Sequence, residues 1–467
     1  MRREEQVDVV IVGAGAAGLA TAMFAAESAP GVRIVCLEGA RTLGAKILVS
    51  GGGRCNVTNR VVTERDFNSG SPRAVRHVLR AFSAERTVAL FEGLGVPLDE
   101  EERGKLFPRS GRARSVLDAL LSGVARAGAE VRCGQRVVAV QAVGPAQPGG
   151  TAQLDGPAQP DGPAPPNDAA PPVAGRDSAE TPGHLSDQAA FLVTTSDERH
   201  YRARAVVLAT GGRSLPKSGS DGFGYAIARG FGHGIVETTP ALVPLLLADD
   251  GHAALSGVAQ EVSLEVWAGE RVRVRLSGPL LWTHRGVSGP AVLDASRHWL
   301  RVRLDGDTPV LRMNLCAGLR PEAVDDWLLG EGRRHPRAGV ATILASRLPA
   351  QVARWCAWRS GLPEDRTMSH LSREERARLR GVLTAYELPV TDSRGYTHAE
   401  VTAGGVPLDE VHVSRMESRR QSGLFLVGEI LDVDGRLGGF NFQWAWSSAW
   451  VAGQAIGRLA SSVQRPA

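Results

Sequence analysis

Gly13, Gly15 and Gly18 stand in a G-x-G-x-x-G spacing directly after the β-branched apolar run 7–12, and they open an alanine-rich segment of helical character. Strand, tight turn and helix in that order make an anion site. Gly13 permits the turn, Gly15 lets a pyrophosphate come against the backbone, and Gly18 lets the helix pack closely on the strand, with the helix N-terminus facing the anion. A second apolar run, 33–37, ends in Glu38, twenty positions beyond Gly18. A dinucleotide-binding unit needs a carboxylate there to accept hydrogen bonds from the adenosine ribose hydroxyls. The next segment, Ser50-Gly51-Gly52-Gly53-Arg54-Cys55-Asn56, lets backbone approach a flat or charged ligand, and Lys46 and Arg54 flank it with positive charge. Cys55 reads as a small buried residue rather than an activated thiol. Near the other end, the apolar run 424–427 leads into Gly428-Glu429, and Asn441-Phe442-Gln443-Trp444 opens a helix rich in Ala, Ser and Trp. A helix N-terminus at that point would stabilise negative charge developing on a bound ring.

These segments need a scaffold, and the rest of the chain supplies one. Its 467 residues suffice for two to four ordinary domains. Lys plus Arg number 54 against 50 Asp plus Glu, and the two signs are interspersed. That pattern argues against nucleic acid as a partner, despite a pI near 9.0. Five scattered cysteines, with no C-x-x-C pair and no signal peptide, suggest free thiols in a reducing, cytoplasmic setting. The uncharged stretch 9–26 has the length of a membrane span. Three glycines in its first half, with Glu4, Glu5 and Asp8 at its entrance, argue against that reading. No metal site is expected, and nothing specifies an oligomeric state.

Segments 72–95 and 112–127 read as helices, and 137–143 as a strand. From 144 to 188 the chain turns to Pro, Gly, Ala and Asp, with Gly-Pro-Ala-Gln-Pro at 144–148 and again at 156–160, which predicts a disordered insertion. Strands at 191–195 and 205–208 would join 137–143 in a small meander ending in Ala209-Thr210-Gly211-Gly212. Residues 217–400 read as a second, substrate-binding domain, β-rich over 236–312 and helical over 320–385. It contains a hairpin that pairs 262–266 with 272–276, places Arg271, Arg273 and Arg275 on a solvated face, and has a capping box at Ser372 and Glu375. The fold class is α/β: a Rossmann-type domain over 1–216, completed by 401–467, with a β-sheet and helical domain inserted between.

Taken together, the motifs resemble the BaiN-type bacterial NAD(P)/FAD-dependent oxidoreductases, two-dinucleotide-domain flavoproteins that include aminoacetone-oxidase-like members. The resemblance rests on Lys46 with the 50–56 loop, on 209–212 and 216–222, on Thr283-His284-Arg285-Gly286-Val287-Ser288-Gly289-Pro290, and on Thr402-Ala403-Gly404-Gly405-Val406. It extends through 428–435 and Gly438-Gly439-Phe440-Asn441-Phe442-Gln443-Trp444-Ala445-Trp446. It implies a glutathione-reductase-like FAD domain. Gly13, Gly15 and Gly18 would lie at the pyrophosphate, Glu38 at the ribose, and Gly52, Gly53, Arg54, Cys55 and Asn56 near the flavin, with Ala16, Ala17, Gly39 and Lys46 also binding the cofactor. Val137, Gly211, Gly212, Gly428, Glu429, Asp432, Gly439, Asn441 and Gln443 complete the implied set, with Glu429, Asp432 or Asp434 at the ribityl chain.

The family's activities imply a small-molecule substrate and NADPH or NADH as donor. The leading expectation is NAD(P)H-dependent reduction of a conjugated C=C bond in a cyclic ketone or steroid-like compound. An amine or aminoacetone oxidase using dioxygen is the first alternative, and a flavoprotein acting on RNA the second. The catalytic candidates are His284, Tyr225 and Tyr396. No second G-x-G-x-x-G follows a strand, so a nicotinamide donor would bind without its own fingerprint.

Overall fold

The computed structural model describes residues 4–143, 190–248 and 251–463. The insertion expected at 144–188 lies outside them. The central strand β1 (Glu4–Val12) runs parallel to β2 (Ile34–Leu37) on one side and to His200–Leu208 on the other. Leu424–Leu426 and Glu130–Arg132 extend this parallel array at its two ends. Val9, Val10, Ile11 and all of β2 are buried, as expected of strands covered on both faces. This is a Rossmann-type sheet. Helix α1 (Ala16–Ser28) crosses between β1 and β2, and the last long helix, α2 (Phe440–Val463), packs along α1. Val137–Ala142, Phe191–Thr195 and His200–Leu208 pair antiparallel in sequence and form the meander.

The expected helix over 72–95 is two helices, Pro72–Ala81 and Ala84–Gly93. The break has a tertiary cause. Phe82 is extended, its ring packs against Phe24 and Trp450, and its carbonyl accepts hydrogen bonds from Gln443 Nε2 (2.9 Å) and Ser447 Oγ (2.7 Å) of α2. The competing partners on α2 outweigh one more turn of helix.

A second core gathers between 243 and 399 around a seven-stranded sheet. Its hairpin joins Ala259–Ala268 to Arg271–Thr283, with Val262, Leu264 and Val266 buried. Arg271, Arg273 and Arg275 are exposed, and Arg275 pairs with Glu265 at 2.7 Å. Helix Pro290–Leu304 covers the sheet with Val292, Ala295 and Trp299. Four helices occupy 321–385, and Ser372 Oγ accepts the Glu375 N–H while Glu375 accepts the Ser372 N–H, closing the capping box. The chain crosses between the two cores on a pair of antiparallel strands, Val236–Ala241 and Val401–Gly405. Among the described residues no helix is long and apolar enough to cross a membrane, and no His/Cys/Asp/Glu cluster suits a metal.

Candidate active site

A cavity of about 530 Å³ runs from the carboxyl ends of β1 and β2 to the N-terminus of α2. At its first end Gly13 takes φ of +100° and donates its N–H to the Leu37 carbonyl, closing the turn. A Cβ on Gly18 would lie 1.9 Å from the Gly13 oxygen, whereas a Cβ on Gly15 would meet nothing within 4 Å among the described residues. One glycine serves packing and the other keeps space free. The first helical bond of α1 joins the Leu19 N–H to the Gly15 carbonyl, so the N–H groups of Ala16, Ala17 and Gly18 have no helical partner at this end of the cavity. Glu38 is fixed by accepting the N–H groups of Ala14 and Ala40, each at 2.9 Å, and retains lone pairs for ribose hydroxyls. Gly39 and Val137 line the wall beside it.

Midway along, Glu429 faces the cavity in a charged network. Its carboxylate accepts from Lys46 Nζ (2.5 Å), Ser214 Oγ (2.9 Å) and the Thr402 N–H (3.0 Å). Asp434, by contrast, is buried off the cavity against Arg297 (2.7 Å), and Asp432 does not line the cavity either. Glu429 is therefore the acid that a ribityl chain in this cavity would meet.

At the far end, the first helical bond of α2 is from the Gln443 N–H to the Gly439 carbonyl, which leaves the N–H groups of Phe440, Asn441 and Phe442 without a helical acceptor. Gly438, Gly439 and Asn441 line the cavity here, and a Cβ on Gly439 would come within 2.5 Å of the Thr58 oxygen. Asn56 Oδ1 is buried and has no hydrogen-bond partner among the described residues. An acceptor awaiting a ring N–H, beside a helix N-terminus that favours ring carbonyls, fits the pyrimidine edge of a flavin. FAD fits the cavity from end to end on these grounds. The wall around the ring end comes from Lys105 and Phe107, from Leu242, from Glu400 and Val401, and from Leu437. The Arg54 guanidinium lies 4.1 Å above the Phe107 ring and pairs with Glu101 at 2.7 Å.

Of the residues singled out from sequence, Gly13, Gly15, Ala16, Ala17, Glu38, Gly39, Lys46, Gly52, Arg54, Asn56, Val137, Gly211, Gly428, Glu429, Gly439 and Asn441 all line this cavity. Gly18, Gly53, Cys55, Gly212, Asp432 and Gln443 do not. Gly212 packs on Thr402, where a Cβ would come within 2.4 Å of Oγ1. Burial pushes the Cys55 thiol up to about 12, so it stays protonated and inert. Gln443 is fully buried and fully bonded: Oε1 accepts from Thr58 (2.6 Å) and Thr87 (2.8 Å), and Nε2 donates to Phe82 O and Ser447 Oγ. It holds the core rather than a cofactor.

The three catalytic candidates also stand off the cavity wall. His284 is exposed on the turn between Arg271–Thr283 and Gly286–Ser288. Tyr396 donates its hydroxyl to Thr238 Oγ1 at 2.9 Å under the Arg213 guanidinium. Tyr225 is buried, and burial together with the Glu429 charge holds its phenol well above the ordinary range. Sequence reading missed Lys105, Leu242, Glu400 and Leu437. The one available signal was proximity, since Glu400 lies two residues before the 402–406 motif.

A family model described as the HI0933-like protein Rossmann domain matches residues 7–148 and 178–455. The chain is similar to the ribosomal RNA dihydrouridine synthase of Haemophilus influenzae, 30% identical over 452 residues, covering 96% of this chain and 98% of the relative. The Escherichia coli protein of the same description is 30% identical over 456 residues, covering 97% and 98%. A 3-dehydro-bile acid delta(4,6)-reductase of Clostridium scindens is 29% identical over 445 residues, covering 95% and 98%. With its motifs matched along nearly the full length, the chain belongs to the HI0933-like family of BaiN-type FAD-dependent oxidoreductases.

Proposed function

We propose that the protein reduces a ring C=C bond conjugated to a ring carbonyl, with uracil in ribosomal RNA as substrate and NADPH or NADH as the source of electrons. The observation that carries this reading is that relatives of two different names match the chain over nearly all of both lengths, and both names describe one reaction type. Dihydrouridine formation and reduction of a conjugated oxo-steroid each add two hydrogens across a double bond next to a carbonyl. When bound and reduced by the nicotinamide, FAD would supply the hydride. The chain's own residues do the rest. The α1 N-terminus and Glu38 would anchor the nucleotide end, and Asn56 with the α2 N-terminus would hold the ring and stabilise negative charge at its edge. Lys105 offers a cation to the substrate carbonyl, drawing electron density away from the carbon that accepts hydride.

The choice of RNA departs from the expectation drawn from overall charge. Residues 320–385 carry twelve arginines against eight acidic residues, a surplus equal to that of the whole chain. Trp358 is 59% exposed on this lobe, next to Arg359, and Arg347 stands 4.8 Å over the Trp327 ring. Cationic surface interleaved with aromatic faces suits phosphates and unstacked bases. A steroid-like enone is the second reading, favoured by the apolar side chains of Leu242, Val401, Leu437 and Phe107 at the ring end.

The test incubates FAD-loaded protein anaerobically with NADPH or NADH and unmodified transcribed ribosomal RNA, then analyses nucleosides by mass spectrometry. Uridine heavier by two hydrogens at a defined position is expected. Unchanged RNA, with reduction of a steroid enone in parallel reactions, would transfer the assignment to the second reading.

A further inference from the structure

The reduction proposed above needs a proton at the carbon next to the carbonyl, and the cavity wall holds one carboxyl placed to give it. Glu400 lines the ring end of the cavity, at the point where the chain returns to the first core. Its backbone is pinned: the N–H donates to the Leu242 carbonyl (3.2 Å) and the carbonyl accepts from Ser214 Oγ (3.2 Å). Its side chain has no hydrogen bond or ion pair among the described residues. The residue is exposed at the cavity wall, and burial of the carboxyl by the surrounding protein raises it above the ordinary range. The charged groups that face it are Asp294, which raises it further, and Lys105 and Lys46, which pull it down.

Other acids are otherwise engaged. Glu38 and Glu429 are each held by donors, Asp221 pairs with Arg136 at the nucleotide end, and Asp294 accepts the Leu437 N–H at 2.7 Å without lining the cavity.

We infer that Glu400 is the proton donor of the reaction, acting on the α-carbon of a substrate whose carbonyl rests on Lys105. The inference depends on the reductase reading. In the step, the substrate π bond breaks, the β-carbon takes the hydride of the reduced flavin, and the α-carbon takes the Glu400 proton. Two C–H bonds form, the flavin is left oxidised, and the Glu400 carboxylate regains a proton from water through the cavity mouth. NAD(P)H restores the reductant.

The experiment compares wild type, Glu400→Gln and Glu400→Asp, with folding checked by thermal unfolding and flavin content by absorbance. Glu400→Gln should bind FAD and be reduced by NAD(P)H as wild type, yet reoxidation by substrate should slow by about 100-fold or more. Wild-type reoxidation should fall at alkaline pH, as a general acid requires. Glu400→Asp should keep that limb, and Glu400→Gln should lose it. Independently of turnover, infrared titration of flavin-free protein should show a protonated-carboxyl band, absent from Glu400→Gln, that persists above the pH at which exposed carboxyls ionise. A wild type that reduces substrate while Glu400→Gln matches it overturns the assignment. So does a Glu400 that ionises with the exposed acids. A wild type inactive on RNA and enone alike instead removes the reductase reading, and the infrared result still decides whether Glu400 holds a proton.

Discussion

Replacing Gly15 by alanine separates the cofactor's space from the protein's own packing. Gly15 has φ of −77° and ψ of −168°, which alanine adopts freely, and the added Cβ meets no atom within 4 Å. Exchanging glycine for alanine at a helix N-cap costs about 0.5–1 kcal/mol, and the stiffer unfolded chain returns roughly as much. Flavin-free Gly15→Ala should therefore match wild-type stability to within about 0.5 kcal/mol. The new methyl projects into the space a pyrophosphate must enter, and overpacking of that kind costs about 1–3 kcal/mol. The FAD dissociation constant should rise roughly 5- to 150-fold. Gly18→Ala is the control, because its Cβ would stand 1.9 Å from the Gly13 oxygen and the chain itself must shift. That variant should lose stability before FAD is added. Flavin stripped from each protein is titrated back by fluorescence, and the flavin-free forms are unfolded in urea. Unchanged FAD affinity in Gly15→Ala, or a loss of its own stability comparable to that of Gly18→Ala, would refute the reasoning.

Three other perturbations probe neighbouring features. Gln443→Leu strands the partners that Gln443 satisfies in the core, and should cost roughly 2–5 kcal/mol in denaturant unfolding of the flavin-free protein. Asp294 is raised from 3.8 to about 6 chiefly by burial, so its contribution to stability is full below pH 4 and is lost as pH rises to 6. At about 1.4 kcal/mol per pH unit, Asp294→Asn, which still accepts the Leu437 N–H, should be more stable than wild type by up to about 3 kcal/mol above pH 6, and no more stable below pH 4. His284→Ala should leave turnover within about twofold of wild type, since the imidazole lies on an exposed turn; a loss of tenfold or more would return His284 to the chemistry.

The nucleotide end of the cavity was legible in sequence because it is local. Glu4 to Glu38 is one strand–helix–strand unit whose spacing sets its geometry. The ring end is assembled from segments around 56, 105, 242, 400 and 439, and no periodicity connects them. Gln443 illustrates how adjacency misleads. Two positions along a helix turn the side chain by about 200°, so Gln443 points into the core while Asn441, at the cavity wall, closes on the Gly435 backbone. The break at Phe82 was equally invisible, because its cause is a pair of donors some 360 residues away. His284 and the two tyrosines were chosen for residue type within or near shared motifs. Type and motif say nothing of which way a side chain faces, whereas the carboxylate at Glu400, outside any quoted motif, opens on the cavity.

The most direct measurement is the anaerobic visible spectrum of the FAD-loaded protein, first reduced with NADPH or NADH and then mixed with unmodified ribosomal RNA or a steroid enone. Bleaching of the flavin by a nicotinamide is expected, followed by recovery of the oxidised spectrum on adding one of the two substrates, with no oxygen present. A flavin that neither nicotinamide reduces, but that an amine bleaches and air alone restores, would contradict the reductase reading and identify an oxidase.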